Sequence, residues 1–143
     1  MPSGSCDELK ELPDRARAIA ASARRAALST SDRLGRPHTV PVGFALLRGE
    51  VVTAVDQKPK RGGKELARVA NLRADPRVTM MMDRWDEDWR QLGWVMIRGI
   101  ARLEPPGTAT AELVERYPQY RDDPPRGEVI VVRPERLLWW TWK

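Results

Sequence analysis

The distribution of apolar and polar residues predicts a chain built mainly from short β-strands. Runs of β-branched and alternating apolar residues, separated by glycine- and proline-containing turns, are typical of such strands. About seven segments fit this pattern: 28–30, 38–46, 51–55, 78–82, 94–103, 128–132 and 137–142. Segment 78–82 is apolar except at Thr79, which predicts a strand covered on both faces. Because the strands are short and closely spaced, we expect antiparallel pairing in a small barrel.

Two or three short helices are expected between the strands. They are predicted at 15–27, 65–73 and 108–116, with Thr108 as the cap of the last. The first would pack through small apolar residues, namely Ala16, Ile19, Ala20 and Ala23. Strands with a few helices predict a mainly β protein of the α+β class.

The chain divides near residue 25. Residues 1–12 show no hydrophobic periodicity, so we expect them to be unpaired. Residues 1–25 would form an N-terminal extension or helix, and residues 26–143 one barrel domain.

Composition excludes several functional classes. Hydrophobic residues make up 41% and charged residues 31% of the 143 positions, a globular balance. One Cys and one His allow neither an internal disulfide nor a zinc site of Cys and His ligands. We expect no metal site. With neither a signal peptide nor an apolar run that could span a bilayer, we expect a cytoplasmic protein without membrane contact.

The net charge of +5 raises the question of a nucleic-acid partner. Single-stranded nucleic acids are bound by aromatic residues interleaved with cations. Here the aromatic residues cluster with acidic residues at 83–89 and with apolar residues at 137–142. We therefore expect no nucleic-acid partner.

The clearest candidate site is a cationic segment at 56–68. It carries five cations, Lys58, Lys60, Arg61, Lys64 and Arg68, around the flexible pair Gly62-Gly63. Backbone amides, cations and the start of a predicted helix together suit a phosphate group. The spacing is not that of a P-loop, and a solvated charged loop is the alternative interpretation.

His38 and the tryptophans are the other chemical candidates. His38 is either a general base or a strand-edge histidine bonded to the backbone or a cofactor. The six tryptophans include Trp139, Trp140 and Trp142, which cannot all face one core. We therefore expect some of them to meet a second copy of the chain in a homodimer.

The order of motifs resembles the pyridoxamine 5′-phosphate oxidase-like split-barrel superfamily, and within it the F420-dependent oxidoreductases of actinobacteria. The resemblance covers about residues 26–143. The motifs that carry it are Gly35-Arg36-Pro37-His38, Val40-Pro41-Val42, Thr53-Ala54-Val55-Asp56, Lys58-Pro59-Lys60, Asn71-Leu72, Ala74-Asp75-Pro76-Arg77-Val78, Asp86-Glu87-Asp88-Trp89 and Tyr117-Pro118-Gln119-Tyr120.

The resemblance implies a Greek-key split barrel that dimerises, with two cofactor sites in the subunit interface. The cofactor ring would lie against segments 38–44 and 51–56, and its phosphate against the following loop and helix. The implied cofactor-binding residues are His38, Pro41, Val42, Val55, Lys58, Lys60, Arg61, Arg68, Asn71 and Trp94. No catalytic residue is identified.

The implied function is hydride transfer between coenzyme F420 and a small organic substrate. F420 is a polyanion, which suits the cationic segment, but FMN with its single phosphate suits it almost as well. Two alternatives therefore stand: an FMN-dependent oxidoreductase of the same fold, and a non-catalytic module that binds F420, a flavin or a tetrapyrrole.

Overall fold

The computed structural model describes residues 2–55 and 66–142. In these two stretches, eight strands form one antiparallel sheet that curls into a half-barrel, with four α-helices packed against it. The elements are β1 Ser3–Cys6, α1 Asp14–Ser22, β2 Ala26–Ser31, β3 Pro37–Val42, β4 Ala45–Leu47, β5 Glu50–Ala54, α2 Ala67–Ala74, β6 Arg77–Arg84, β7 Gly93–Glu104, α3 Thr108–Arg116, α4 Pro118–Asp122 and β8 Val129–Thr141. The mainly β, split-barrel architecture expected from the sequence is confirmed.

The strand order is β3-β2-β6-β7-β8-β5-β4, and β1 pairs with β8 outside this path. The long strand β8 connects the sheet: residues 129–132 pair with β5, residues 137–140 pair with β1, and its whole length pairs with β7. Strands predicted separately at 128–132 and 137–142 are thus one strand. A register shift beside Arg98 and Gly99 lets β8 continue past Pro134.

The main core lies on the inner face of the curled sheet. Burial alternates along β7, where Val95, Ile97 and Ala101 are buried. The expectation that segment 78–82 is covered on both faces is wrong. Met80 and Met82 are fully buried, but Met81 on the outer face is 36% exposed, because no helix in the described residues lies over this part of β6.

A second core cluster lies on the opposite face of the β4-β5-β8 end. Helices α3 and α4 cover it, and Leu113 packs there with Val52 and Val131. Helix α3 begins as predicted at Thr108, but the cap residue is Gly107, whose N–H donates to Thr110 Oγ1 at 3.2 Å.

The N-terminal residues are not unpaired, contrary to expectation. β1 extends the sheet along β8, and Leu12 is buried at 1% exposure. Helix α1 ends at Ser22, earlier than predicted, and packs through Ala16, Ile19 and Ala20 as expected. No helix in residues 2–55 or 66–142 is long and apolar enough to cross a membrane.

The predicted strand at 38–46 is divided into β3 and β4. Gly43 and Phe44 separate them, and the carbonyl oxygen of Gly43 accepts a hydrogen bond from Thr53 Oγ1 at 2.6 Å. The chain therefore leaves one half of the sheet and enters the other within two residues.

Candidate functional site

Polar residues lie on the inner face of the sheet, beneath α2. Thr30 on β2 lies directly opposite His38 on β3 in the antiparallel ladder, so both side chains point to the same face. Asn71 on α2 is buried, and its Nδ2 donates to Thr30 Oγ1 at 3.0 Å. The helix is thereby joined to the strand that pairs with His38.

The turn between β2 and β3 fixes this register. The Asp32 carboxylate accepts hydrogen bonds from the backbone N–H of Arg36 at 2.9 Å and from its Nε at 2.7 Å. The backbone N–H of Asp32 donates to the Arg36 carbonyl oxygen at 3.0 Å. The hydrogen bonds from Arg36 lower the pKa of Asp32, so the turn is held by an ionised carboxylate and His38 stays opposite Thr30.

His38 carries a polar atom that none of the residues in 2–55 and 66–142 satisfies. Its ring is half-buried, and Nδ1 is shielded from solvent without a hydrogen-bond partner. Leaving a buried polar group unpaired costs about 1–3 kcal/mol. Such a nitrogen is suited to a hydrogen bond with a bound group.

Two further predicted cofactor-binding residues, Val55 and Arg68, lie at the two ends of the cationic segment. Val55 is buried directly after β5, and its N–H donates to the Glu128 carbonyl oxygen at 3.1 Å. Arg68 is half-buried near the start of α2, three residues before Asn71, so both lie on one side of the helix. The predicted binding residues Lys58, Lys60 and Arg61 lie outside the described residues.

Strand β3 divides the other candidates between its two faces. Val42 belongs to the inner core, on the same face as His38, whereas Pro41 is exposed on the outer face. Trp94 is half-buried on β7 among the residues of the outer face. One copy of the chain therefore brings His38, Val42 and Asn71 to one face and leaves Pro41 and Trp94 on the other.

The outer face carries a continuous apolar row across five strands. Cross-strand neighbours in this row are Pro41, Ala27, Met81, Met96 and Leu138. The next row toward the β6–β7 turn contains the neighbouring pair Trp94 and Trp140. This set of seven residues is called the outer apolar face below.

Tyr117 is a positioning residue that sequence analysis placed only in a family motif. Its hydroxyl accepts a hydrogen bond from the Phe44 N–H at 2.8 Å and lies 3.0 Å from the carbonyl oxygens of Phe44 and Arg24. The Arg24 guanidinium stacks 4.7 Å from the ring centre. The sequence signal for this role is the break in the apolar pattern at Gly43, where the backbone leaves the sheet and needs a side chain to bond its polar groups.

An ion pair closes the end of α2. Both Arg77 Nε and Nη2 donate to the Asp75 carboxylate, at 3.0 and 2.8 Å. These hydrogen bonds lower the pKa of Asp75 to about 2. The pair fixes the turn from α2 into β6, and with it the height of Asn71 above the sheet.

Comparisons with known proteins agree with this architecture. The family model described as pyridoxamine 5′-phosphate oxidase matches residues 12–141. Comparison with curated proteins gives no match.

Three solved structures are similar over most of the chain. A heme-binding protein from Mycobacterium smegmatis is 26% identical with a TM-score of 0.68; the match covers 89% of this chain and 52% of that one. This chain therefore spans about half of that protein. A conserved hypothetical protein from Mycobacterium tuberculosis is 20% identical with a TM-score of 0.72, covering 92% of this chain and 86% of that one. An F420 reductase is 21% identical with a TM-score of 0.67, covering 88% of this chain and 98% of that one.

Proposed function

The chain belongs to the pyridoxamine 5′-phosphate oxidase family, and we propose that it is an F420-dependent oxidoreductase acting on a small organic substrate. The observation that carries the proposal is the polar group beneath α2. His38 Nδ1 is buried and has no hydrogen-bond partner among the described residues, and Asn71 holds α2 against the neighbouring strand. Arg68, the last cation of the segment 56–68, lies on the same side of α2 as Asn71.

The chemistry of these residues fits a phosphate-bearing ring cofactor. A ring heteroatom would satisfy His38 Nδ1, and Arg68 on the same side of α2 as Asn71 would hold the phosphate. We propose that Lys58, Lys60 and Arg61 add charge from the cationic segment. When bound, the coenzyme supplies the hydride, and the protein orients and shields it.

We propose F420 rather than FMN as the cofactor for two reasons. The motifs Lys58-Pro59-Lys60, Asp86-Glu87-Asp88-Trp89 and Tyr117-Pro118-Gln119-Tyr120 resemble those of F420-dependent relatives. The cations at 58–68 also outnumber what one phosphate needs, and the glutamate tail of F420 would engage the surplus. Exposed charge pairs contribute only about 0–1 kcal/mol each, so the motifs carry most of this preference.

We further propose that the working form is a homodimer that pairs through the outer apolar face. Met81 and Met96 on this face would be covered by the second copy. Pro41 and Trp94 lie on the same side of the sheet. Pairing would therefore bring Trp94 of one copy toward Pro41 of the other, and both are residues that the family resemblance places at the cofactor.

Titration of the pure protein with F420 and with FMN tests the proposal. We expect tighter binding of F420, with a steeper loss of affinity as salt rises because more cations engage it. Charge-assisted hydrogen bonds are worth about 1.5–3 kcal/mol, so Lys58→Ala and Arg68→Ala should each raise the Kd about 10- to 100-fold. The exposed turn residue Arg33, changed to Ala, is the charge-matched control.

Unchanged binding in both variants would remove this region from the cofactor site. Protein that purifies yellow with FMN and shows no affinity for F420 at low salt would overturn the cofactor assignment. Binding without oxidation of reduced F420, across a panel of electrophilic substrates, would favour a non-catalytic module.

A tetrapyrrole is the second candidate ligand. His38 is the only histidine of the chain, no residue that the structure describes bonds its Nδ1, and a similar protein of 26% identity is described as heme-binding. If His38 ligates heme, titration with hemin gives a shifted Soret band in the wild type that is lost in His38→Gln. An identical spectrum in both would exclude this ligation.

A further inference from the structure

Arg48 adopts a backbone conformation that its side chain does not favour. With Gly49 it forms the two-residue turn between β4 and β5, with φ angles of 52° and 78°. Asn is the usual non-glycine residue at this turn position, because L-residues with larger side chains are strained at positive φ. Arg48 is the only non-glycine residue with positive φ in the described stretches. An arginine there indicates that its side chain serves something other than the turn.

The turn forms one side of a cleft of about 590 Å³. The kink at Arg133 and Pro134 of β8 forms its floor, and residues 7–10 of the N-terminal segment form the opposite wall. The family model matches only residues 12–141, so that wall is built by chain outside the family match. The volume is in the range of small-molecule pockets.

Two arginines of the cleft make no direct ion pair with the described residues. Three carboxylates line it, and each contacts a cation: Asp7 with Arg136 at 3.4 Å, Glu8 with Lys10 at 3.2 Å, and Glu50 with Arg102 at 2.7 Å. Arg48 and Arg133 also line the cleft, and neither makes a side-chain hydrogen bond or an ion pair within 4 Å with another described residue, although Arg133 is near enough to Glu50 to lower its pKa. Because Arg102 also pairs with Glu104, the cleft and its rim carry five cations against four carboxylates.

We propose that this cleft binds a small molecule through a phosphate group contacted by Arg48 and Arg133. The fork of guanidinium donors matches phosphate oxygens in a bidentate arrangement. The half-buried side chain of Leu9 offers an apolar contact for the rest of the ligand. This site is separate from the residues beneath α2, and it does not depend on the identity of the cofactor.

Calorimetric titration of the full chain with inorganic pyrophosphate at low salt tests the site. Arg48→Asn removes the guanidinium but introduces a residue that favours the turn, so the fold should be kept. We expect Arg48→Asn and Arg133→Gln each to raise the Kd at least tenfold. Arg33→Ala removes one charge elsewhere and should bind as the wild type does.

Three results would overturn the proposal. The first is no binding of pyrophosphate by the wild type up to millimolar concentration. The second is equal affinity of the wild type and the Arg48→Asn variant, whose folding is checked by its thermal unfolding midpoint. The third is loss of binding in Arg68→Ala with no loss in Arg133→Gln, which would place the anion beneath α2.

Discussion

Tyr117 connects three separate parts of the chain through one hydroxyl. It accepts from the Phe44 N–H between β3 and β4, and its single proton is shared between the carbonyl oxygens of Phe44 and Arg24. Arg116 adds to this region by stacking 4.8 Å from the Phe44 ring and by donating to the Ala23 carbonyl oxygen. The passage from β3 to β4 is therefore held by side chains, because its backbone lies outside the ladder.

Removing the Tyr117 hydroxyl should lower the free energy of unfolding. Tyr117→Phe leaves the Phe44 N–H without its acceptor in a part-buried place. A lost partner of this kind costs about 1–3 kcal/mol, so we expect that decrease in the free energy of unfolding, measured by urea denaturation. Trp85→Phe at a 72% exposed position is the control and should change it by less than about 0.5 kcal/mol. Equal stability of the two variants would contradict the role of Tyr117.

The pairing of β7 with β8 joins the two halves of the sheet, because β8 also pairs with β5. Its register shifts beside Arg98, leaving Glu135 without an opposite residue, and the two backbones come close there. A Cβ atom built on Gly99 would lie 2.5 Å from the Arg133 carbonyl oxygen and 2.9 Å from Val132 Cγ1. Because the nearest atom belongs to the backbone, no side-chain rotation can relieve this contact.

We therefore expect Gly99→Ala to destabilise the fold by about 2–4 kcal/mol, since one or both strands must move. Urea denaturation with far-UV circular dichroism measures the change. Gly127→Ala is the matched control, because a Cβ atom there would have its nearest neighbour at 3.9 Å and should be tolerated. A Gly99→Ala variant as stable as Gly127→Ala would show that the bulge accommodates a Cβ atom without a steric clash.

Strands and helices whose formation depends on neighbouring residues were predicted correctly. A strand whose pairing depends on residues far away in the sequence was not. The alternating pattern of β7 and the start and end of α3 are local, and the structure agrees with them. The pairing of β1 with β8 could not be predicted, because Ser3, Gly4 and Ser5 have no apolar pattern and the pairing depends on a free strand edge more than 130 residues away.

At the scale of the whole molecule, the sequence identified candidate site residues but not their grouping. His38 and Asn71 are linked only through Thr30, which lies opposite His38 in the ladder and accepts a hydrogen bond from Asn71. That meeting depends on the β2–β3 register and on where α2 crosses the sheet, and no local pattern encodes either. The alternation of β3, which sends Pro41 and Val42 to opposite faces, was predictable from the period of a strand.

The outer apolar face leads to the last prediction, which joins assembly to ligand binding. Met81→Glu places a charge at the centre of the apolar row, at a position already 36% exposed in one copy, so each copy should still fold. We expect the variant to be monomeric by light scattering at micromolar concentration, whereas the wild type is a dimer. In the proposed dimer Trp94 lies toward Pro41 of the second copy and adds to the cofactor contacts, so loss of pairing should also raise the Kd for F420, by about tenfold or more.

Leu34→Glu, at a 77% exposed apolar residue on the β2–β3 turn, is the control and should change neither property. A wild type that is strictly monomeric with cofactor bound would contradict both the dimer and the contribution of Trp94 to its partner's site.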